Sequence, residues 1–339
     1  ALQRERGAHA ALREALTHYF GGRYSRAHRA ARRAIAVHDD APDLGLPPDH
    51  RVLAQLIAAG SLHRLQDKTG RDAMLQEAQA AGANAWARVA LEGGQLLAAE
   101  WALDDQDPER ARTLLAGLPA GVARRTQSLR LRLRTARLGR DTQEALDITR
   151  LLAKHQAFSE AAASGLLRAL ALEHLDDARD AGQLRRQWEQ LEQEDRLDPV
   201  VLSQAVRKAV AMGAPADARL WIDAVWPALP RLAPEDRARV ALALSLAAEG
   251  AGVDWLERTE PATRTWPADP AVALAAGQIC AERQLWGKAR QLLEPAAGHP
   301  ALPAAARRRA WRTLAQLARH DGDEARAARC DHAAAQADD

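Results

Sequence analysis

Residues 271–296 read AVALAAGQICAERQLWGKARQLLEPA, and this pattern decides the fold. Small residues fall where one helix must admit another. Ala276 and Gly277 lie in the first half, and Ala289, Leu293 and Ala296 lie on the packing face of the second. The step from Gly277 to Ala289 spans the end of one helix, a turn and the start of the next, so the stretch predicts an antiparallel helical hairpin. A hairpin with an outer apolar stripe cannot bury that stripe alone, so further copies are expected on both sides.

The frame recurs. GGRYSRAHRAARRAI places Ala27, Ala31 and Ala34 after Gly22 and Tyr24. DPERARTLLAGL gives Ala111, Leu115 and Leu118, with Pro108 at a first helical position where its missing N–H costs nothing. GRDTQEALDITRLL gives Ala145, and GAPADARLWIDAV gives Ala218, Ile222 and Val225, preceded by Leu202, Val206 and Ala209. A last copy pairs Trp311, Leu314, Ala315 and Ala318 with GDEARAARCDHAAA, where Ala327 follows Gly322. Ala111 and Ala145 lie 34 residues apart, and the spacing resembles a tetratricopeptide repeat. Less regular pairs fill 49–82, 158–194 and 234–266, for about nine in all. The expected fold is all-α, a tetratricopeptide-like superhelical array of antiparallel helix pairs (an α-solenoid). It would run continuously as N-terminal repeats 1–226 and C-terminal repeats 227–339, with a kink at the proline cluster 227–234.

Composition agrees. Alanine, leucine and arginine dominate the 339 residues, and Asn84 is the only asparagine, which favours helix over strand. Lys+Arg 47 against Asp+Glu 45 leaves a formal charge of +2, so bulk charge names no partner. Cys280 and Cys330 lie far apart without C-x-x-C spacing, so a disulfide framework is not indicated. No apolar run has the length of a membrane span and there is no signal-peptide core, so the given chain is expected to be soluble. It begins at Ala1 without a methionine, which reads as a fragment lacking its N-terminal part.

Local charge is uneven. From Arg110 to Arg140 there are nine arginines and no acid. On a helix expected over 122–138, Leu129, Leu133 and Ala136 share one face and Arg130, Arg134 and Arg137 another. With Arg124 and Arg125 these form the candidate interaction surface, suited to an acidic protein face or an anionic membrane surface. Tyr and Phe are missing from 110–140, so the stacking platform for single-stranded nucleic acid is absent and nucleic acid is disfavoured. The plain alternative is a set of solvated helix faces. Residues 38–50, HDDAPDLGLPPDH, read as a long inter-repeat loop, and the tail from Ala333 as frayed.

No motif assembles chemistry. Gly250 and Gly252 form a lone G-x-G, and Gly287-Lys288 lacks the upstream glycine of a phosphate loop. No histidine pair has metal-ligand spacing on one helix. Cys330, Asp331 and His332 are adjacent on a helix and so point apart, while Cys280 faces a partner helix as a small core residue. Trp311 takes a core repeat position and Trp286 packs in the hairpin turn, whereas Trp86, Trp101, Trp188, Trp221, Trp226, Trp255 and Trp266 have no individual assignment. The reading is not an enzyme, with no cofactor and no metal. Ala27, Ala111, Ala145, Ala218, Gly277, Ala289 and Trp311 are assigned to repeat packing.

The string LWGKAR at 285–290 and the opening GAHAALREALTHYFGGRYSRAHRAARRA at 7–34 resemble the HemY family of protoheme IX biogenesis proteins, in its C-terminal repeat region. The resemblance implies two transmembrane helices before Ala1 and a repeat domain on the cytoplasmic face of the bacterial inner membrane. The basic start, Arg4 to Arg33, suits a segment leaving the membrane on that side. It also implies a non-catalytic protein-interaction scaffold that organises late haem (tetrapyrrole) biosynthesis enzymes, and it carries over no catalytic residue. The alternative is a direct haem or porphyrin carrier or sensor with a His or Cys ligand. Oligomeric state is left open.

Overall fold

The computed structural model describes residues 2–40, 45–80 and 85–337, and among these every regular element is helical. The chain divides into two compact units, Ala1–Ser159 and Glu160–Asp339. In the first, α1 (Leu2–Phe20) pairs with α2 (Tyr24–Asp40), α3 (Pro48–Arg64) with α4 (Lys68–Ala80), and α5 (Ala85–Asp104) with α6 (Pro108–Ala116). After the one-turn α7 (Ala120–Ala123), α8 (Thr126–Leu138) pairs with α9 (Thr142–Lys154). The second unit opens with α10 (Glu160–Asp176) and α11 (Ala181–Gln190), then the short α12 (Gln193–Leu197), then α13 (Pro199–Ala211) with α14 (Pro215–Val225). It continues with α15 (Pro234–Leu246) and α16 (Val253–Thr265), α17 (Pro270–Glu282) and α18 (Trp286–Ala297), and α19 (Ala304–His320) and α20 (Glu324–Gln336). Each unit is an all-α, tetratricopeptide-like array of antiparallel helix pairs.

One turn geometry makes most of these pairs. Gly22, Gln66, Gln106, Arg140, Gly213, Gln284 and Gly322 hold φ between 57° and 77°, and the next residue donates its N–H back to the carbonyl five positions earlier. Asp67 to Leu62, Asp141 to Ala136 and Leu285 to Cys280 are examples, at 2.8–2.9 Å. This left-handed cap satisfies carbonyls that the ending helix leaves open. The second helix starts at once, several times on an aspartate: Asp107, Asp141 and Asp323 accept from the N–H three residues on, at 2.9–3.0 Å. Five residues beyond the left-handed position stand Ala27, Ala111, Ala145, Ala218, Ala289 and Ala327, each at most 1% exposed. Here the second helix crosses the first, and the fixed turn delivers a small residue to the crossing in these six pairs.

Gly277 shows how tight the crossing is. A Cβ at this position would sit 2.7 Å from Cγ and Cδ2 of Leu293 on α18. Stacking then follows from the outer stripes. The first helices of successive pairs pack on one another, α1–α3–α5–α8 in the first unit and α10–α13–α15–α17–α19 in the second. They form one layer of each unit, here termed its inner face, while α2, α4, α6, α14, α16 and α18 each pack against the first helix of the following pair. Buried Ala31, Ala34, Ala58, Leu62 and Leu75 form the largest core cluster of the first unit.

Several expectations shift. The helix expected from residue 122 starts at Thr126, because Arg124 and Arg125 form a turn held by the buried Ser128 hydroxyl, which donates to the Val122 carbonyl at 2.7 Å. The loop expected over 38–50 is shorter: α2 runs to Asp40 and α3 begins at Pro48, with residues 41–44, like Asn84, outside those described. At the proline cluster, Trp226–Arg231 is a 3-10 helix leading into α15. The C-terminal helix is not frayed at Ala333. It continues to Gln336, with Ala334 and Ala337 buried and the Ala337 carbonyl accepting from Arg308 Nη1 at 3.2 Å.

Two glycine substitutions separate the two constraints. Gly277→Val is expected to lower unfolding stability by about 1–3 kcal/mol through overpacking against Leu293. Gly213→Ala, whose Cβ meets open space but whose φ is +75°, should cost only about 1 kcal/mol, the left-handed penalty of a side chain. Urea unfolding monitored by far-UV circular dichroism reads both.

Candidate functional site

The inner face of the first unit carries an apolar groove of about 710 Å³. Leu16 and Phe20 of α1, Leu53 and Leu56 of α3 and Val89 and Leu96 of α5 line it, and Gln127 of α8 closes one end. Phe20 is 82% exposed and Val89 is 69% exposed, so the groove displays large apolar groups to solvent instead of enclosing them. Its residues come from four separate helices, α1, α3, α5 and α8.

The arginines of α8 continue this face. Counted back from the left-handed turn residue of each pair, Arg130 occupies the register of Leu56 and Leu96, Arg134 that of Leu16 and Gly60, and Arg137 that of Tyr19 and His63. All three are exposed. Arg134 Nη2 reaches Asp104 Oδ1 of α5 at 2.7 Å and Arg130 Nη2 donates to the Ala157 carbonyl at 3.4 Å. Among the described residues Arg124 and Arg137 have no ion pair. Arg125, in the turn before α8, lies 3.7 Å from Glu92 Oε2, next to the groove residue Gly93. Carboxylates from neighbouring helices also reach Arg110 (Asp72, 2.9 Å), Arg112 (Glu144, 3.9 Å) and Arg132 (Glu144, 3.2 Å). The run without a single acid in sequence is therefore partly neutralised in space. Among the described residues, Arg124, Arg130 and Arg137 are the members of the candidate surface left without a carboxylate.

Beneath that face lies a polar network that no sequence motif announced. At the crossing position where six other pairs carry alanine, the pair α3/α4 carries Arg71, which is 1% exposed. Its guanidinium bonds Asp72 Oδ1 at 2.8 Å and Asp105 Oδ2 at 2.9 Å, lies 3.2 Å from His63 Nδ1, and sits 6.0 Å from the centroid of the Trp101 ring. Lys68 pairs with Asp105 at 2.9 Å, and His63 stacks on Trp101 while Nε2 meets Asp104 at 3.2 Å. Two consecutive pairs, α3/α4 and α5/α6, are thus joined through one buried cation. Burial opposes the charges of Arg71, Asp72 and Asp105, but the mutual hydrogen bonds outweigh it, so the guanidinium is held above its ordinary value and both carboxyls below theirs. The one signal in sequence was an arginine five residues after Gln66, where the repeat frame asks for alanine.

The remaining assigned residues are placed as follows. Ala27, Ala111, Ala145, Ala218 and Ala289 are 0% exposed at helix crossings. Trp311 is half-buried and lines a cavity of about 420 Å³ beside Leu314 and Cys330. Trp101, Trp188, Trp221, Trp226 and Trp255 are buried, with Trp188 stacked on Trp221 at 4.8 Å. Trp266 is half-buried under the Arg237 guanidinium at 4.7 Å, Trp286 is half-buried against His320, and the Trp86 side chain lies outside those described. Cys280 and Cys330 are free and buried, and burial raises both thiols, which makes them poor nucleophiles. Among the described residues no group of His, Cys, Asp and Glu is arranged to hold a metal ion, and no helix is long and apolar enough to cross a membrane.

No protein-family model matches the chain, and no curated protein matches it significantly.

The network makes a prediction in stability and in pH. Asp105→Asn leaves Arg71 buried with a weakened counter-charge and should cost about 3–5 kcal/mol, whereas Arg71→Met, which leaves Asp105 with Lys68 and Asp72 with Arg110, should cost far less. Because the folded-state pKa values of Asp72 and Asp105 are depressed, their contribution is present above the ordinary carboxylate range and is lost as pH falls below about 4. Urea unfolding between pH 6 and pH 3 should show a shallower acid limb for Arg71→Met than for the unaltered chain.

Proposed function

We propose that the chain is a non-catalytic scaffold whose first unit holds an amphipathic segment of a protein partner. The partner's apolar side chains would lie over α1, α3 and α5, and its acidic side chains would lie toward α8. A tetratricopeptide-like array fits a protein-interaction role in general. The observation that carries the specific reading is that the exposed apolar groove runs to α8 at Gln127, where Arg130 follows in the register of the groove residues Leu56 and Leu96 and Arg134 and Arg137 lie further along the same helix. Apolar contact supplies affinity there, and the arginines set direction and on-rate.

The resemblance of LWGKAR and GRYSRA to HemY supplies the identity we favour for that partner: a tetrapyrrole-synthesis enzyme, met at the cytoplasmic face of the bacterial inner membrane. The arginine stripe would add affinity for anionic headgroups, about 1 kcal/mol for each basic residue close to the bilayer. The alternative, a haem or porphyrin carrier, draws on the same apolar volume flanked by arginines. A saturable Soret shift on haem titration that Phe20→Asp abolishes would favour it over the scaffold.

The scaffold reading is tested with the membrane-inserted protein, by cross-linking it to late haem-synthesis enzymes and comparing two surface variants. Phe20→Asp and Arg130→Glu change exposed side chains, so the fold should be unaffected, yet each should weaken partner binding by about tenfold or more. Only the Arg130→Glu loss should shrink as salt rises. Unchanged affinity in both variants would remove the groove from the account.

A further inference from the structure

In the second unit, Arg309 of α19 differs from several arginines that meet carboxylates. Arg237 pairs with Asp269, Arg258 with Asp223, Arg290 with Asp321 and Arg326 with Glu294. Arg309 is set deeper than most surface arginines, and no carboxylate among the described residues comes within 4.0 Å of it. Its side-chain contact is the Ser245 hydroxyl, 3.0 Å from Nη1. Burial without a counter-ion pushes the guanidinium below its ordinary value. A cation withdrawn from water and left unpaired destabilises the fold that carries it, and such an arrangement is expected where a ligand supplies the missing charge.

The surroundings fit that expectation. A cavity of about 440 Å³ opens on the inner face where α15, α17 and α19 line up, and Arg309, Gln278, Thr313, Trp286 and His320 line it. Gln278 is 8% exposed, its Oε1 lies 3.1 Å from the Thr313 hydroxyl, and its Nε2 has no acceptor. Trp286 and His320 pack ring to ring at 4.9 Å with a 42° tilt, giving the cavity a flat wall. Two acids, Glu249 and Glu282, share the lining, and Glu282 Oε1 is already engaged by the Gly250 N–H at 2.8 Å. They repel a dianion far more than a monoanion, which disfavours phosphate and leaves a carboxylate. The guanidinium fork matches a carboxylate through two parallel N–H···O bonds. The volume is that of a residue-sized group, too small for a helix.

We propose that this cavity is a second recognition site, binding a carboxylate next to an aromatic or branched apolar group in a polypeptide partner. Arg309 supplies the charge and the Trp286–His320 wall takes the apolar group. The proposal extends the scaffold reading to the second unit and does not depend on the groove in the first, so the Phe20→Asp variant should retain it.

The test uses the full chain and three probes: N-acetyl-phenylalanine, its C-terminal amide, and inorganic phosphate. NMR of the Arg309 Nε–H and Trp286 Nε1–H groups reads binding. Saturable shifts are expected with N-acetyl-phenylalanine alone, with affinity falling about tenfold or more in Arg309→Gln and partly restored in Arg309→Lys. A peptide whose only carboxylate is a side chain, compared with one whose only carboxylate is terminal, then identifies which source the site prefers. Arg309→Met serves as the fold control and should raise the thermal midpoint, because it removes a half-buried charge that has no ion-pair partner among the described residues. Equal shifts with the amide, shifts with phosphate alone, or no shifts together with a lowered midpoint in Arg309→Met would each overturn the proposal.

Discussion

Everything in this protein depends on how closely the second helix of a pair approaches the first. The turn fixes that approach. A left-handed residue ends the first helix, the following N–H bonds back five positions, and the second helix starts in a constant register, so the same position always meets the partner. A methyl group fits there, as Ala27, Ala145 and Ala289 show, and at Gly277 even a Cβ would collide with Leu293. Close packing at the crossing leaves the outer stripe of each pair for the next pair, and stacking within each unit follows from that remainder.

A second set of contacts repeats with the stacking. Arg185 with Asp217, Arg237 with Asp269 and Glu294 with Arg326 all join residues 32 apart in sequence, about one repeat. Some acids serve twice: Asp269 caps the start of α17 and also receives Arg237 from α15, while Asp198 does the same for α13 and Arg168. Where such pairs are exposed they add little to stability, so their value is in fixing the register between pairs. Arg71 is the exception in kind. It replaces the small crossing residue with a buried cation and draws in partners from the neighbouring pair, where its loss of hydration is offset by Asp72 and Asp105.

The inner faces combine two chemistries that stacked pairs expose readily. First helices present residues that their own partner helix does not cover, so successive pairs assemble a surface from side chains far apart in the chain. In the first unit that surface is apolar with a basic end. In the second, the Arg309 guanidinium, without an ion pair among the described residues, sits beside an aromatic wall. A surface of this kind displays groups for a partner to meet, and it suits a scaffold because each additional pair adds area without disturbing the others.

The amino-acid sequence by itself determined the helices, their pairing and the small residues at the crossings, because these follow from periods of a few residues within one hairpin. Gly277 to Ala289, and the recurrence of alanine at 27, 111, 145 and 218, carry that information locally. It did not reveal that glutamines at 66, 106 and 284 take the left-handed turn position, since glutamine has no preference for that conformation and is held there by the surrounding helices. The arginine stripe was legible on α8, but its partial neutralisation by Asp104 and its continuity with the apolar groove were not. Those are contacts between helices separated by at least one whole repeat. For the same reason the isolation of Arg309 was invisible. A missing counter-charge is a property of the space around a residue, and only the packing of α15, α17 and α19 decided which side chains enter that space.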